Sequence, residues 1–377
     1  MDFSYTPEQE AVRELVRRIL ADHSNHERLR EIEAGDEGYD ATLWKKLAEA
    51  NVPGIALPEE FGGSGFGILE LCIVFEEMGR HIAPVPLLPT LALGGLPIAA
   101  FGNDAQRRRW LPGITAGERI LTAALEESGS ANPALPRVEA KRDGAGWRLD
   151  GVKECVPAAQ LSGCILVPAR TGTETVGVFL VEPTSPGVEI ERQATLDRGP
   201  QGRLLLRGAT VDAEGVLGDP EGGAEIVEWI VERAHLALAA TQLGVAEEAL
   251  RRTAAYVTER KQFGKPIATF QGVALRAADA FIDIECMRAS LVQAAWLLSA
   301  DRPARAEVAA ARWWACVGGQ RVAHTAQHLH AGIGSDVDYP IHRFFLWSKQ
   351  LQLTLGGANQ TLARLGQILA EPGRSDS

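Results

Sequence analysis

From about residue 222 to the C-terminus, apolar residues recur at helical spacing in four long segments, roughly 222–260, 270–300, 304–330 and 341–370. Amphipathic helices of this length joined by short links can bury their apolar stripes only against one another, which predicts an antiparallel four-helix bundle over residues 221–377. Residues 1–118 read instead as shorter helices punctuated by Pro and Gly. Thr6 precedes Pro7 and the set Val12, Leu15, Val16, Ile19 and Leu20, the arrangement of a capped helix with proline in its first turn. Further helices are expected near residues 41–50 and 68–78. Over residues 119–220 the texture changes to short apolar runs such as "GCILVPAR", "TVGVFLVEP" and "GRLLLRGATV", separated by turn residues, so the middle domain is expected to be a β-barrel or sandwich. The fold class is therefore α+β: an N-terminal helical domain, a middle β domain and a C-terminal bundle.

Composition narrows the partners. A chain of 377 residues with 46% hydrophobic content can bury a substantial core, and its net charge of -11 argues against a nucleic-acid backbone as partner. Cys72, Cys155, Cys164, Cys286 and Cys316 are scattered and contain no C-x-x-C, which suggests neither a disulfide framework nor a zinc ribbon. The start "DFSYTPEQEAVRELV" has no basic and apolar leader pattern, and the most apolar run, residues 86–102, is broken by Pro and Gly and too short to span a bilayer. The expectation is a soluble cytoplasmic protein with no membrane partner.

Three stretches carry possible chemistry. "YVTERKQFGKPIATFQ" at 256–271 gathers Arg260, Lys261, Lys265 and Gln271 around a break at Gly264 and Pro266. Such a bend can converge side chains and free N–H groups on an anion, or can simply end a helix with cations that offset its dipole. "LPEEFGGSGFG" follows no strand and lacks G-K-[ST], so it reads as a loop between helices. "HTAQHLH" places His324 and His328 one helical turn apart, with His330 beyond, but no third ligand follows at a telling spacing and no metal site is expected.

The domain order, together with "RKQFGKPIATFQ" and "HLHAGIGSDVDYP", resembles the acyl-CoA dehydrogenase family over essentially the whole chain. In that family FAD lies between subunits. The resemblance implies that Arg260, Phe263 and Gln271 meet the pyrophosphate and adenine end of an FAD held mainly by a neighbour. It also implies that His328 lies near the phosphates and that Gly332 and Gly334 let the backbone approach the dinucleotide. The family removes the α-proton of an acyl-CoA thioester with a glutamate while hydride passes to the flavin.

Here the residues depart from the family pattern. The usual glutamate position falls on Leu355 in "LTLGGAN", and the alternative position on the first bundle helix falls on Ala234; Glu232, two residues away, points to the opposite face. In the β domain, Glu126 stands where a flavin-bonding threonine is usual, and "GVKECVPAA" puts Cys155 and Pro157 at the Trp and Thr of G-x-K-x-W-I-T. Proline offers neither hydroxyl nor N–H. No catalytic residue is therefore assigned. Such chains look like partner subunits of heteromeric, steroid-CoA-type acyl-CoA dehydrogenases, which implies an acyl-CoA substrate, FAD, and a homologous catalytic subunit in a heterotetramer. Two alternatives stand beside this reading: a self-sufficient homo-oligomer with a base such as Asp336 or Asp338, and a non-enzymatic scaffold that binds a CoA ester or a protein.

Overall fold

Thr6 and Gln9 form a reciprocal capping box: the Gln9 N–H donates to Thr6 Oγ1 at 3.3 Å, and the Thr6 N–H donates to Gln9 Oε1 at 3.0 Å. That cap opens helix α1 (Pro7–His23) in a computed structural model that describes residues 4–371. Helices α2 (His26–Ala34), α3 (Ala41–Glu49) and α4 (Ile68–Arg80) follow, then a π-helical segment, Pro89–Gly95, running into α5 (Leu96–Phe101), and α6 (Asp104–Thr115). Eight strands come next: β1 (Ile120–Ala123), β2 (Glu139–Asp143), β3 (Gly146–Pro157), β4 (Ser162–Arg170), β5 (Val176–Val181), β6 (Val188–Gln193), β7 (Gln201–Val211) and β8 (Val216–Leu217). Helix α7 (Gly223–Glu259), a small hairpin of β9 (Lys261–Gln262) and β10 (Lys265–Pro266), then α8 (Gln271–Ser299), α9 (Arg305–His330), α10 (Ile341–Leu353) and α11 (Ala358–Ala370) complete the order. The α, β, α sequence of the expected fold class is present. Among the described residues, no helix is long and apolar enough to cross a membrane.

The chain divides into two compact units. One comprises the residues up to Leu29, Ile68–Ala83, and the chain from His235 onward, so α1 and α4 pack with the C-terminal helices. A Cβ at Gly244 on α7 would sit 1.9 Å from the Glu76 carbonyl oxygen on α4, so these two backbones touch and only glycine fits. On α4, the buried Glu76 and Glu77 are met by Arg13, Arg17 and Arg80, at 3.0 Å from Arg13 to Glu76 and 2.7 Å from Arg17 to Glu77. Burial pushes the Glu77 carboxyl up, but Arg17 and Arg80 outweigh it and hold the group below its usual range.

The fourth bundle segment is not one helix, as its spacing suggested, but two. Leu355 and Gly356 both adopt left-handed backbone (φ 53° and 96°), and the chain breaks between α10 and α11. The carbonyls freed there are met by Arg312 on α9, fully buried, whose Nη2 donates to the Leu351 and Thr354 oxygens at 2.7 Å each.

The second unit holds residues 30–67 and 84–234. Its sheet runs β6-β7-β3-β2-β4-β5-β8, with β1 joined parallel to β4. In a flat sheet β3 and β5 would lie about 14 Å apart, three strand spacings. Yet the Trp147 and Phe179 rings meet edge-on at 5.3 Å, so the sheet curls over its own core of Leu149, Ile165, Phe179 and Leu204. The apolar run at 86–102, in which Pro and Gly suggested interruption, is helical. The π segment ends at Gly95, and Pro97 stands in the first turn of α5, where proline is tolerated. Gly94 in that segment lies against Leu121 of β1, where a Cβ would approach the Leu121 Cβ to 2.5 Å.

Candidate cofactor-contact site

The bend at the end of α7 is a tight hairpin. Gln262 pairs with Lys265, and the two residues between them, Phe263 and Gly264, both lie in the left-handed region (φ 53° and 77°), the pattern of a two-residue I′ turn. Phenylalanine is a poor residue for that position, and its ring is 91% exposed, touching only Phe270 edge-on at 6.1 Å among the ring contacts. Lys265 turns onto the Phe270 ring, its Nζ 4.6 Å from the centroid. Arg260 keeps its backbone in the helix end, its N–H donating to the Tyr256 oxygen and its own oxygen accepting from the Ile267 N–H, each at 2.8 Å. The Arg260 and Gln271 side chains are exposed. This hairpin therefore presents a cation, an amide and a bare aromatic face outward, a donor set that fits a diphosphate joined to a flat ring.

His328, Gly332 and Gly334 lie at the end of α9 and in the turn Ala331–Ser335. A Cβ at Gly334 would come to about 3.0 Å from the Gln327 side chain, so packing within the chain already favours glycine there; at Gly332 it would meet nothing within 4 Å. Any need for glycine at 332 must come from outside the chain. His328 lines a cleft of about 640 Å³ between α8 and α9, together with Arg276, Asp279, Asp283, Arg321 and His324. Asp283 is already engaged by Arg321 in a two-pronged ion pair. His324 meets Gln320 at 2.8 Å and packs edge-on against Phe345. His330 turns inward instead. No group of three or more metal-ligating side chains occurs among the described residues.

Sequence reasoning missed what joins the two halves. Tyr256, one helical turn before Arg260, stacks on His330 with centroids 4.4 Å apart and planes 21° from parallel, and Tyr339 packs against both rings. The signal was present in the residue types but not in their spacing, since Tyr256 and His330 are far apart in the chain.

The positions where an acid would be expected are closed off. Ala234 is fully buried. Leu355 sits in the α10–α11 break, and its carbonyl accepts a hydrogen bond from His235 Nε2 at 3.1 Å; burial pushes the His235 imidazole down to about 3, so it stays neutral. Asp336 and Asp338 are exposed, and Asp336 accepts the Asp338 N–H at 2.9 Å as a turn cap.

The departed β-domain stretch is satisfied internally. Cys155 also has left-handed backbone (φ 48°), and its N–H donates to Gln193 Oε1 at 2.8 Å. Burial, then Glu126 and Glu154, push its thiol up, away from the thiolate form. Pro157 pairs with Gln201 in the sheet. Glu127, next to Glu126, is buried. It accepts the Arg137 and Val138 N–H groups at 2.6 and 3.2 Å and pairs with the fully buried Lys153 at 2.7 Å. The Cys155 N–H and the Glu127 carboxylate are thus engaged inside the chain, while the buried Lys153 ammonium faces Glu127 as an ion pair without a well-aligned hydrogen bond.

Comparison with known proteins agrees with the arrangement. Residues 6–118 match the acyl-CoA dehydrogenase N-terminal domain and residues 221–369 the acyl-CoA dehydrogenase C-terminal domain. The acyl-CoA dehydrogenase FadE27 of Mycobacterium tuberculosis is 38% identical, over 98% of this chain and 99% of that protein. Among solved structures, the Tcur3481-Tcur3483 steroid ACAD G363A variant superposes with a TM-score of 0.91 at 46% identity, covering 98% of this chain and 99% of that one. The ChsE4-ChsE5 complex from Mycobacterium tuberculosis superposes with a TM-score of 0.93 at 38% identity over the whole of both chains. The chain belongs to the acyl-CoA dehydrogenase family, oxidoreductases that act on the CH–CH bond of acyl-CoA thioesters.

Proposed function

We propose that this chain is the non-catalytic subunit of a heteromeric, FAD-dependent acyl-CoA dehydrogenase. In this reading it supplies Arg260, Phe263, Gln271, His328 and the turn at Gly332 and Gly334 to the adenine and pyrophosphate end of an FAD. A homologous partner holds the flavin ring and provides the glutamate. The observation that carries the reading is the asymmetry between an exposed, outward-facing hairpin at Arg260 and base positions filled by Leu355 and the buried Ala234. Bound FAD would supply the hydride acceptor; this chain's part is to bind and orient through charge-assisted hydrogen bonds.

The substrate class in this reading is an acyl-CoA thioester carrying a bulky steroid-like acyl group, and the assembly is a heterotetramer. Support comes from the similarity to a chain described as a steroid ACAD and to a chain of a complex between two differently named proteins. A cytoplasmic location belongs to the same reading and agrees with five cysteines that are all free thiols. The test is turnover. Expressed alone and supplied with FAD, an artificial electron acceptor and several acyl-CoA esters, the chain should stay far below the 1 to 10³ per second, roughly, of ordinary enzymes, and co-expression with the base-bearing homologue should restore turnover. Ordinary turnover by the chain alone would reject the proposal.

A further inference from the structure

We infer that Tyr256, His330 and Tyr339 form a positioning clamp that sets the spacing between the Arg260 hairpin and the glycine turn. His330 is the last residue of α9, immediately before Ala331, whose backbone (φ 53°, ψ -138°) lies in a region suited to glycine rather than alanine. A strained backbone of this kind persists only where its surroundings over-determine it. The surroundings here are aromatic. His330 is 1% exposed, its Nδ1–H donates to the Ala326 oxygen at 2.8 Å, and its ring lies nearly flat on Tyr256, with Tyr339 tilted against it at 5.4 Å. Its buried Nε2 has no hydrogen-bond partner, and burial pushes the imidazole pKa down, so the ring acts here as a neutral stacking plate. Tyr256 in turn accepts the Arg260 N–H through its own carbonyl. One ring contact thus ties the turn that carries Arg260 to the turn that carries Gly332.

The inference rests on the cross-subunit reading of Arg260. A guanidinium and a backbone turn that grip one dinucleotide must keep a fixed separation, and a misplacement of about 1 Å is enough to lose well-aligned hydrogen bonds. His330 touches no cofactor in this account and works through its neighbours.

The experiment compares His330→Ala, His330→Phe, Met287→Ala and Arg260→Ala, each co-expressed with the catalytic partner. Flavin per complex after gel filtration, the Kd for added FAD and the melting temperature are measured for all four. Met287 is buried on α8 and serves as a matched loss of packing outside the clamp. His330→Ala should weaken FAD retention about tenfold beyond Met287→Ala at a similar melting temperature, and His330→Phe, which keeps a stacking ring, should recover most of it. If His330→Ala merely tracks Met287→Ala, or Phe is as poor as Ala, the clamp is overturned. If Arg260→Ala loses flavin while His330→Ala does not, the clamp alone fails. If Arg260→Ala also keeps its flavin, the cross-subunit reading and the clamp fail together.

Discussion

The hairpin after α7 and the strand around Cys155 each force a non-glycine residue into left-handed backbone, Phe263 at φ 53° and Cys155 at φ 48°, yet they satisfy the surrounding groups in opposite ways. At Cys155 the N–H is taken by Gln193, the neighbouring Glu154 N–H donates to the Glu126 oxygen at 2.9 Å, and Glu127 closes on Lys153. That region is organised toward its own interior. At Phe263 the ring stands in solvent, with the exposed Arg260 and Gln271 close to it in the chain. Under the proposed function, this difference corresponds to the two ends of a cofactor site shared between subunits.

The largest effect expected on that comparison comes from Lys153→Met. Removing the ammonium leaves the Glu127 carboxylate buried with only two main-chain donors, and breaking a buried pair by one partner costs about 3–5 kcal/mol. Denaturant unfolding should show that loss. Flavin per folded complex should not change, because Glu127 and Lys153 serve only the β domain's own packing; flavin loss beyond the unfolded fraction would mean that this stretch does hold cofactor.

Arg260→Ala should give the opposite signature. Charge-assisted hydrogen bonds to a diphosphate contribute roughly 1.5–3 kcal/mol each, so FAD affinity of the complex should fall about ten- to a hundredfold. If Arg260 only offsets the α7 dipole, its loss would cost about 0.3–1 kcal/mol of stability and leave flavin retention intact. Equilibrium FAD titration beside a melting curve separates the two. Full occupancy in the variant would erase the contrast between the regions.

What was legible in the sequence follows the range of the interactions. The α1 cap at Thr6, the α, β, α order and the bend at Gly264 are local, set by residues within a few positions of one another, though the bend's hairpin form was not legible from them. The α10–α11 break was not legible as a break, because it depends on Arg312 reaching carbonyls about forty positions away and on His235 reaching Leu355 from another helix. The helical reading of 86–102 was obscured for a different reason: proline normally ends a helix, yet Pro89 and Pro97 stand in the first turns of the π segment and of α5. The Glu127–Lys153 pair is not legible in the sequence, since burial is a property of the folded sheet rather than of either residue. At the cofactor end, the residue types around 260–271 leave a helix end and an anion site both open, and only the family resemblance implies a role toward a neighbour, whereas the Tyr256–His330 contact depends on two helices converging.

The smallest effect is the most discriminating, because its two readouts should move in opposite directions. Phe263 occupies the first central position of a I′ turn, where asparagine before glycine is the favoured pair, and Phe263→Asn replaces a residue that resists left-handed backbone with one that accepts it. Little burial is lost, since the ring is 91% exposed, and the one edge-on contact with Phe270 is solvent-facing. The isolated chain should therefore gain up to about 1 kcal/mol in stability, seen as a higher midpoint in denaturant with an unchanged slope. In the complex the same change removes the apolar wall beside the cofactor, and FAD retention should fall by roughly three- to tenfold, in line with the loss of one well-placed aromatic contact. That pair of outcomes would mark Phe263 as held for an external partner. If the Asn variant is both more stable and fully loaded with FAD, Phe263 has no such partner and the hairpin's outward-facing role contracts to Arg260 and Gln271.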